Sequence, residues 1–361
     1  RSPSRGLGDV YKRQILMEVA IMRPILILCI VIGHSFAIFS GAWPNPFEDK
    51  TVLGSPIYSS VNPLFISFQL AGFVFISGYV NSYINYCSRG KNQSLLKLLF
   101  KKTKRLLVPA WLFGAVYYVL FLYDLDTFTI KSCLLEIFLG AGHLWFLPML
   151  FGCILLVQIC ESCRIRPRYI LIALFLIVLL PSQFVAYTQF LHYAFYFYLG
   201  QIVWQKRFDI NLKNKAFLCV NLAVYVLTFV LYDSQKADML HCWNSFVSHM
   251  DWASFMSIVL VDFIKMLMCV SGILFLLGVI LWILSKLNLQ KNRIVEFSNK
   301  VCYGVYIFHQ FILWYLVYHT SLIYNVGITE LPFFFLSVTL VVSVVLAQMS
   351  LKTRVGRFLI G

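Results

Sequence analysis

Apolar residues do not alternate singly with polar ones along this chain; they gather in long runs separated by short charged bands. The runs cover about 17–40, 61–83, 105–123, 141–160, 168–187, 189–205, 215–232, 254–284, 301–320 and 331–351. Most approach the roughly 20 mainly apolar residues that a helix needs to cross the hydrocarbon core of a bilayer. The pattern predicts an all-α membrane protein, a bundle of about ten transmembrane helices. The fifth and sixth runs are nearly continuous. Gly41–Ser60 and Asp233–Ser254 are the longest polar stretches and read as outer loops. No linker is long enough to hide a soluble domain, and no internal repeat or low-complexity tract stands out.

The charged bands fix an orientation. Assigned by parity to the two sides of a ten-span bundle, 21 basic residues fall on one side, including Lys97–Arg105, Arg164–Arg168 and Lys352–Arg357. The other side receives only Lys50, Lys131 and Lys236, beside eight acidic residues. Basic loops are retained in the cytoplasm, so both termini are expected there, in a multi-pass protein of the cell's inner, cytoplasmic membrane. Composition agrees: 60% of residues are hydrophobic and 12% charged, which excludes a soluble enzyme. The net charge of +15 lies in these bands, a membrane pattern that excludes a nucleic-acid partner. Many of the cysteines (Cys29, Cys153, Cys219, Cys269, Cys302) lie inside apolar runs and read as small hydrophobes, not as a disulfide framework.

Residues 1–14 share no character with the rest of the chain. Asp9–Gln14 (DVYKRQ) resembles the conceptual translation of a transposon adapter, and 1–14 is read as a sequencing or cloning scar. The native chain is expected to begin at Met17 or slightly upstream. Residues 15–361 form a single membrane domain.

Few residues inside the runs can do chemistry, and ionisable groups at membrane depth face a bundle interior or a wet cavity. The first run carries Arg23 and His34. Eleven residues of helix bring both to one face, about 16 Å apart along the axis. An arginine fork suits phosphate and an imidazole suits base work, so the pair can hold a long phosphorylated donor and activate a hydroxyl. A snorkelling Arg23 and a helix-bridging His34 satisfy the same spacing. Tyr303, Tyr306 and His309 cluster in the ninth run, for interhelical bonding or as part of a site. Asp262 and Lys265 are expected to neutralise each other at i,i+3, and Glu136 has no evident partner. No metal site is expected. Cys160 and Cys163 lack a second pair, and His241, His249 and Asp251 show no standard ligand spacing. HExxH, P-loop and GxSxG motifs are absent.

Five blocks in order resemble the integral-membrane acyltransferase-3 family. Arg23-x10-His34, within MRPILILCIVIGHS, resembles its first-helix signature, and Phe73–Tyr79 (FVFISGY) its FxxSGY element. Lys104–Pro109 (KRLLVP) resembles the basic RLxxP turn, His143–Leu147 the HLWFL block, and Tyr303–His309 (YGVYIFH) the SxGxYLxH block. The resemblance spans roughly residues 17–351. Three departures stand out: Pro24 where the family has a small residue, Lys102 with Arg105 where it has paired arginines, and no outer hydrolase-like domain expected after the tenth span.

The resemblance implies O-acyl transfer, most often of acetyl, from a cytoplasmic coenzyme A thioester to a carbohydrate hydroxyl of a cell-surface or exported glycan. The donor, acyl-CoA with acetyl-CoA foremost, is a substrate, and no permanently bound cofactor is implied. His34 is then the candidate catalytic base, and Arg23, Lys102 and Arg105 the candidate donor-binding cations. Ser77, Tyr79, His143, Trp145, Tyr306 and His309 are supporting candidates; among the histidines His309 is expected to matter less than His34. A transporter or flippase of a lipid-linked saccharide is the alternative, with Asp262, Lys265 and Glu136 lining its path. The oligomeric state stays open.

Overall fold

The computed structural model describes residues 16–41, 43, 56–87, 95–124, 128–181, 189–207, 209–287, 289, 292–322 and 329–361. The segment 1–14 lies outside these residues. The described chain is helical: α1 (Met17–Ser35), α2 (Pro56–Ile66), α3 (Gln69–Cys87), α4 (Leu95–Tyr117), α5 (Ile130–Leu139), α6 (Phe146–Ser162), α7 (Pro167–Val178), α8 (Phe190–Gln205), α9 (Lys215–Gln235), α10 (Met239–His249), α11 (Trp252–Lys286), α12 (Arg293–Tyr318), α13 (Leu331–Lys352) and α14 (Arg354–Ile360). A π-turn, Tyr118–Leu122, extends α4, and a 3-10 turn, Gly142–Trp145, leads into α6.

A helix lies in each of the ten apolar runs. Among the described residues, eight segments are long and apolar enough to cross a membrane. The remaining two, α7 with 12 residues and α8 with 16, fall short. At 1.5 Å per residue they reach about 18 and 24 Å of the roughly 30 Å core. The fifth run continues into residues 182–187, which are outside the described set.

The chain divides into two compact units, each assembled from separated segments. The first holds the opening of α1 through Met22, α3 from Ala71, and everything from Gly152 to Gln290. In it α9 packs along α11, and α7 along α8. The outer stretch expected as a loop contains α10, which packs on α11. Trp243 and Phe246 supply an apolar face there, with the Phe246 and Phe255 rings 5.0 Å apart. Asp251 caps the start of α11. Bonds from Ser254 Oγ and the Ala253 amide hold its carboxyl below the usual carboxylate range and leave it occupied as a cap. Asp262 and Lys265 form no ion pair; Asp262 is buried with Oδ2 unpartnered, whereas Lys265 is exposed. The two charges nonetheless stand close enough to interact electrostatically, so the expected i,i+3 coupling acts without a direct ion pair.

The second unit holds α1 from Arg23, α2, α4, α5, the 3-10 turn, the start of α6, and α12 to α14. Here α12 packs along α13, and α14 folds back against α13 and α4. Phe36, Phe39, Tyr58, Leu313, Val317, Leu331 and Phe335 form a buried cluster where the end of α1 meets α2, α12 and α13. This cluster anchors the residues just beyond His34. Helix α1 runs unbroken through Pro24, so the departure at that position does not end it.

Helices in lipid approach closely where a residue lacks a side chain. In the first unit α3 and α8 meet through two glycines: a Cβ on Gly78 would strike the Phe197 carbonyl, and one on Gly200 the Phe75 carbonyl. The glycine of the FVFISGY block is therefore a packing residue. Gly78→Ala should cost about 1–3 kcal/mol through overpacking. Gly114 has 3.6 Å of room to its nearest neighbour, so Gly114→Ala should be neutral or slightly stabilising. Thermal unfolding of the two variants in detergent checks this; equal midpoints would mean that the α3–α8 contact is not tight.

Candidate active site

Three histidines that lie far apart in sequence meet in the second unit. His34 stands at the last turn of α1, His309 in the middle of α12, and His143 in the 3-10 turn before α6. His34 Nδ1 and His309 Nε2 are 3.0 Å apart. The His143 and His309 rings lie 4.9 Å apart between centroids, edge to face.

Backbone carbonyls fix which nitrogens carry hydrogen, because a carbonyl only accepts. His309 Nδ1 lies 2.6 Å from the Tyr306 carbonyl oxygen and 3.2 Å from that of Val305, so it is the protonated nitrogen. Likewise His143 Nε2 donates to the Ile307 carbonyl at 3.0 Å. His143 Nδ1 is then a bare lone pair, buried without a partner. Tyr306 closes the arrangement by donating its hydroxyl to the His143 carbonyl at 2.7 Å.

A cavity of about 180 Å³ opens beside His34, lined by Ile30, Trp43, Leu70, Gly142, His143, Trp145, Phe146, Tyr306 and Gln310. Among the described residues this lining carries no charged side chain and no serine, threonine or cysteine. The turn that places His143 and Trp145 depends on glycine. Gly140 and Gly142 have φ of +97° and +58°, and the ring of Tyr117 packs where a Cβ on Gly142 would go. Tyr117 in turn stands edge-on to His143 at 6.0 Å.

The cations of the second unit gather elsewhere. Arg23, Lys102 and Arg105 are close enough to repel one another electrostatically, and among the described residues none makes an ion pair. Arg105 is exposed, and its carbonyl accepts a bond from the Tyr303 hydroxyl at 3.1 Å. Tyr303 stacks on Tyr306 at 6.4 Å, and Tyr306 lies 6.1 Å from His309. A file of rings thus runs from the cationic group to the histidines.

A family model described as an acyltransferase domain matches residues 18–348, nearly the whole chain. The chain belongs to the acyltransferase-3 family. It is an acyltransferase for groups other than aminoacyl groups, within a helical membrane protein. No curated protein and no solved structure matches it significantly.

Of the residues singled out in the sequence of this acyltransferase, His34, His143, Trp145 and Tyr306 line the cavity, and His309 lies directly behind His34. Arg23, Lys102 and Arg105 form the cationic group. Ser77 and Tyr79 belong to the other unit. There Ser77 donates to the Phe73 carbonyl of its own helix, and Tyr79 donates to Glu18 at 3.0 Å. His309, expected to matter less than His34, shares a hydrogen bond with it. Trp43 and Gln310 were missed. Trp43 stands 5.4 Å from the His34 ring, in the polar stretch after α1, where no periodicity marks it. Gln310, whose Oε1 is buried without a partner, could have been noticed as the neighbour of His309.

Gly142→Ala should reduce acyl transfer by more than its effect on stability. The left-handed conformation costs about 1–2 kcal/mol for a residue with a Cβ, and the added methyl must push Tyr117 toward His143. Activity and thermal midpoint measured together decide this. Full activity would mean that the turn does not position the site.

Proposed function

We propose that the chain is a ten-span O-acyltransferase with both termini in the cytoplasm. In this reading it moves an acyl group, acetyl foremost, from a coenzyme A thioester to a hydroxyl of a cell-surface or exported glycan. The observation that carries it is a single helix joining two chemistries: α1 bears Arg23 in an unpaired cationic group and, eleven residues on, His34 at an uncharged cavity. The axial separation is about 16 Å. The arm of coenzyme A between pyrophosphate and sulfur is a chain of roughly a dozen bonds, which extends about 15 Å at polypeptide-like rise. A donor held by its phosphates at Arg23, Lys102 and Arg105 therefore presents its thioester near His34. The lone pairs of the cavity wall and the faces of Trp43 and Trp145 suit a neutral, hydroxyl-rich acceptor.

In this reading His34 Nε2 removes the proton from the acceptor hydroxyl as its oxygen bonds to the thioester carbon. The C–S bond breaks, and the proton passes from Nε2 to the departing thiolate. Among the described residues the lining offers no hydroxyl or thiol free to carry the acyl group: the Tyr306 hydroxyl is committed to a backbone carbonyl. This favours direct transfer over a relayed one.

His34→Ala should lose about 10²–10⁴-fold in ester formation by the purified protein, yet still bind coenzyme A. Arg105→Ala and Lys102→Ala should instead raise the apparent KM for donor, about tenfold for Arg105, equivalent to about 1.4 kcal/mol. An Arg105 effect confined to the acceptor would remove the phosphate assignment. Surface glycan from cells with and without the gene should differ in ester-linked acyl groups; unchanged esters with altered export would favour the flippase alternative.

Topology is tested by thiol labelling in intact cells. Cys242, in α10, should react with an impermeant reagent from outside, and Cys87, at the end of α3, only after permeabilisation. The reverse result would invert the bundle and place the cationic group on the wrong side for a cytoplasmic donor.

A further inference from the structure

We propose that His309 is a positioning residue that sets the tautomer of His34 and aims its Nε2 at the acceptor hydroxyl. The inference rests on His34 being the base. The two carbonyls of Tyr306 and Val305 oblige His309 Nδ1 to carry hydrogen. His309 is fully buried, at 0% exposure, and no acidic side chain lines the cavity beside it, so a second proton on its ring would be an uncompensated charge. Its Nε2 is therefore a lone pair. Only one assignment then makes the 3.0 Å contact a hydrogen bond: His34 Nδ1–H donates to His309 Nε2. In a neutral imidazole this leaves His34 Nε2 unprotonated, and no protein atom among the described residues bonds to it.

Without the acceptor behind it, an imidazole exchanges between two tautomers and turns about its χ2 bond. His309 removes both freedoms before any substrate arrives. When His34 takes the acceptor's proton, its Nδ1–H is already bonded, so the imidazolium forms without a change of partner. The role matches that of the carboxylate in a catalytic triad, filled here by a neutral ring whose own tautomer is set by backbone. A carboxylate at this depth would be an additional buried charge; an imidazole fixed by two carbonyls is not.

Side-chain geometry supplies a discriminating pair of variants. A glutamine at 309 carries its amide at the level of the imidazole Nε2, so its oxygen can accept from His34. An asparagine carries its amide at the level of Nδ1 and reaches only the Tyr306 carbonyl. With full-length protein in nanodiscs, His309→Asn and His309→Ala should lower kcat about 10²–10³-fold, with donor KM changed less than about twofold. His309→Gln should recover at least about tenfold of that loss. In ¹⁵N-histidine spectra the wild type should show His34 with Nδ1 protonated, assigned by its disappearance in His34→Gln; His309→Asn should show a mixture of tautomers.

Near-wild-type kcat in a folded His309→Asn or His309→Ala protein would overturn the proposal, as would glutamine no better than asparagine at equal thermal stability. If His309→Ala does not fold, the glutamine–asparagine comparison decides alone. Should His34→Ala, run in parallel, keep full activity, the assignment of the base falls and this inference with it. An inactive His34→Ala beside an active His309→Asn would leave the base standing and remove only the positioning role.

Discussion

A membrane interior offers no water to satisfy a polar group, so every imidazole buried in this bundle must find its partner in protein. The hydrogen bond between His34 and His309 meets that requirement, joining residues 275 positions apart. Its geometry is inherited from the backbone of α12, whose carbonyls hold the His309 ring. The ring holds His34, and the Tyr306 hydroxyl holds the turn that carries His143. The site's shape is thus set by main-chain groups passed outward through side chains, and no charged residue takes part in it.

A cationic group gathers instead at the other end of α1. Arg23, Lys102 and Arg105 repel one another, an arrangement that gains nothing as structure and becomes favourable when an anion joins it. Most of a helix separates the cations from the histidines, so the charged group and the neutral one stand apart. The file of Tyr303, Tyr306 and His309 fills the distance between them with rings that bond to backbone carbonyls at either end. Each ring of the file has its polar group bonded to a backbone carbonyl.

The helical class, the ten apolar runs and the two ends of α1 were legible because each is a local property: run length, spacing on one face, the sign of a loop. His34 and Arg23 could be paired from sequence since one helix carries both. What required the structure was every contact between helices. The bond from His34 to His309 leaves no trace in spacing, since nothing in either helix specifies the register at which they pack. Trp43 lies beyond α1 in a polar stretch without periodicity, and its place beside His34 is a tertiary fact. The i,i+3 spacing of Asp262 and Lys265 brings the two charges near each other, but spacing does not set whether they touch. Ser77 sat in a motif whose need is the adjacent Gly78, where backbone approaches backbone. The helix within 233–254 was hidden by a polar composition that its aromatic face outweighs once α11 is beside it.

The discontinuous make-up of the two units bears on how the protein comes into being. Helices α1, α3 and α6 each pass from one unit into the other, and the unit that holds the histidines needs residues 291–361 for completion. A ribosome adding about 5–20 residues per second reaches His309 roughly 15–55 s after His34. During that interval His34 is without its partner. The first span therefore waits as an unfinished part, and a chain cut short before α12 carries His34 without the ring it bonds to. The histidine cluster can form only once α12 has been made, late in synthesis.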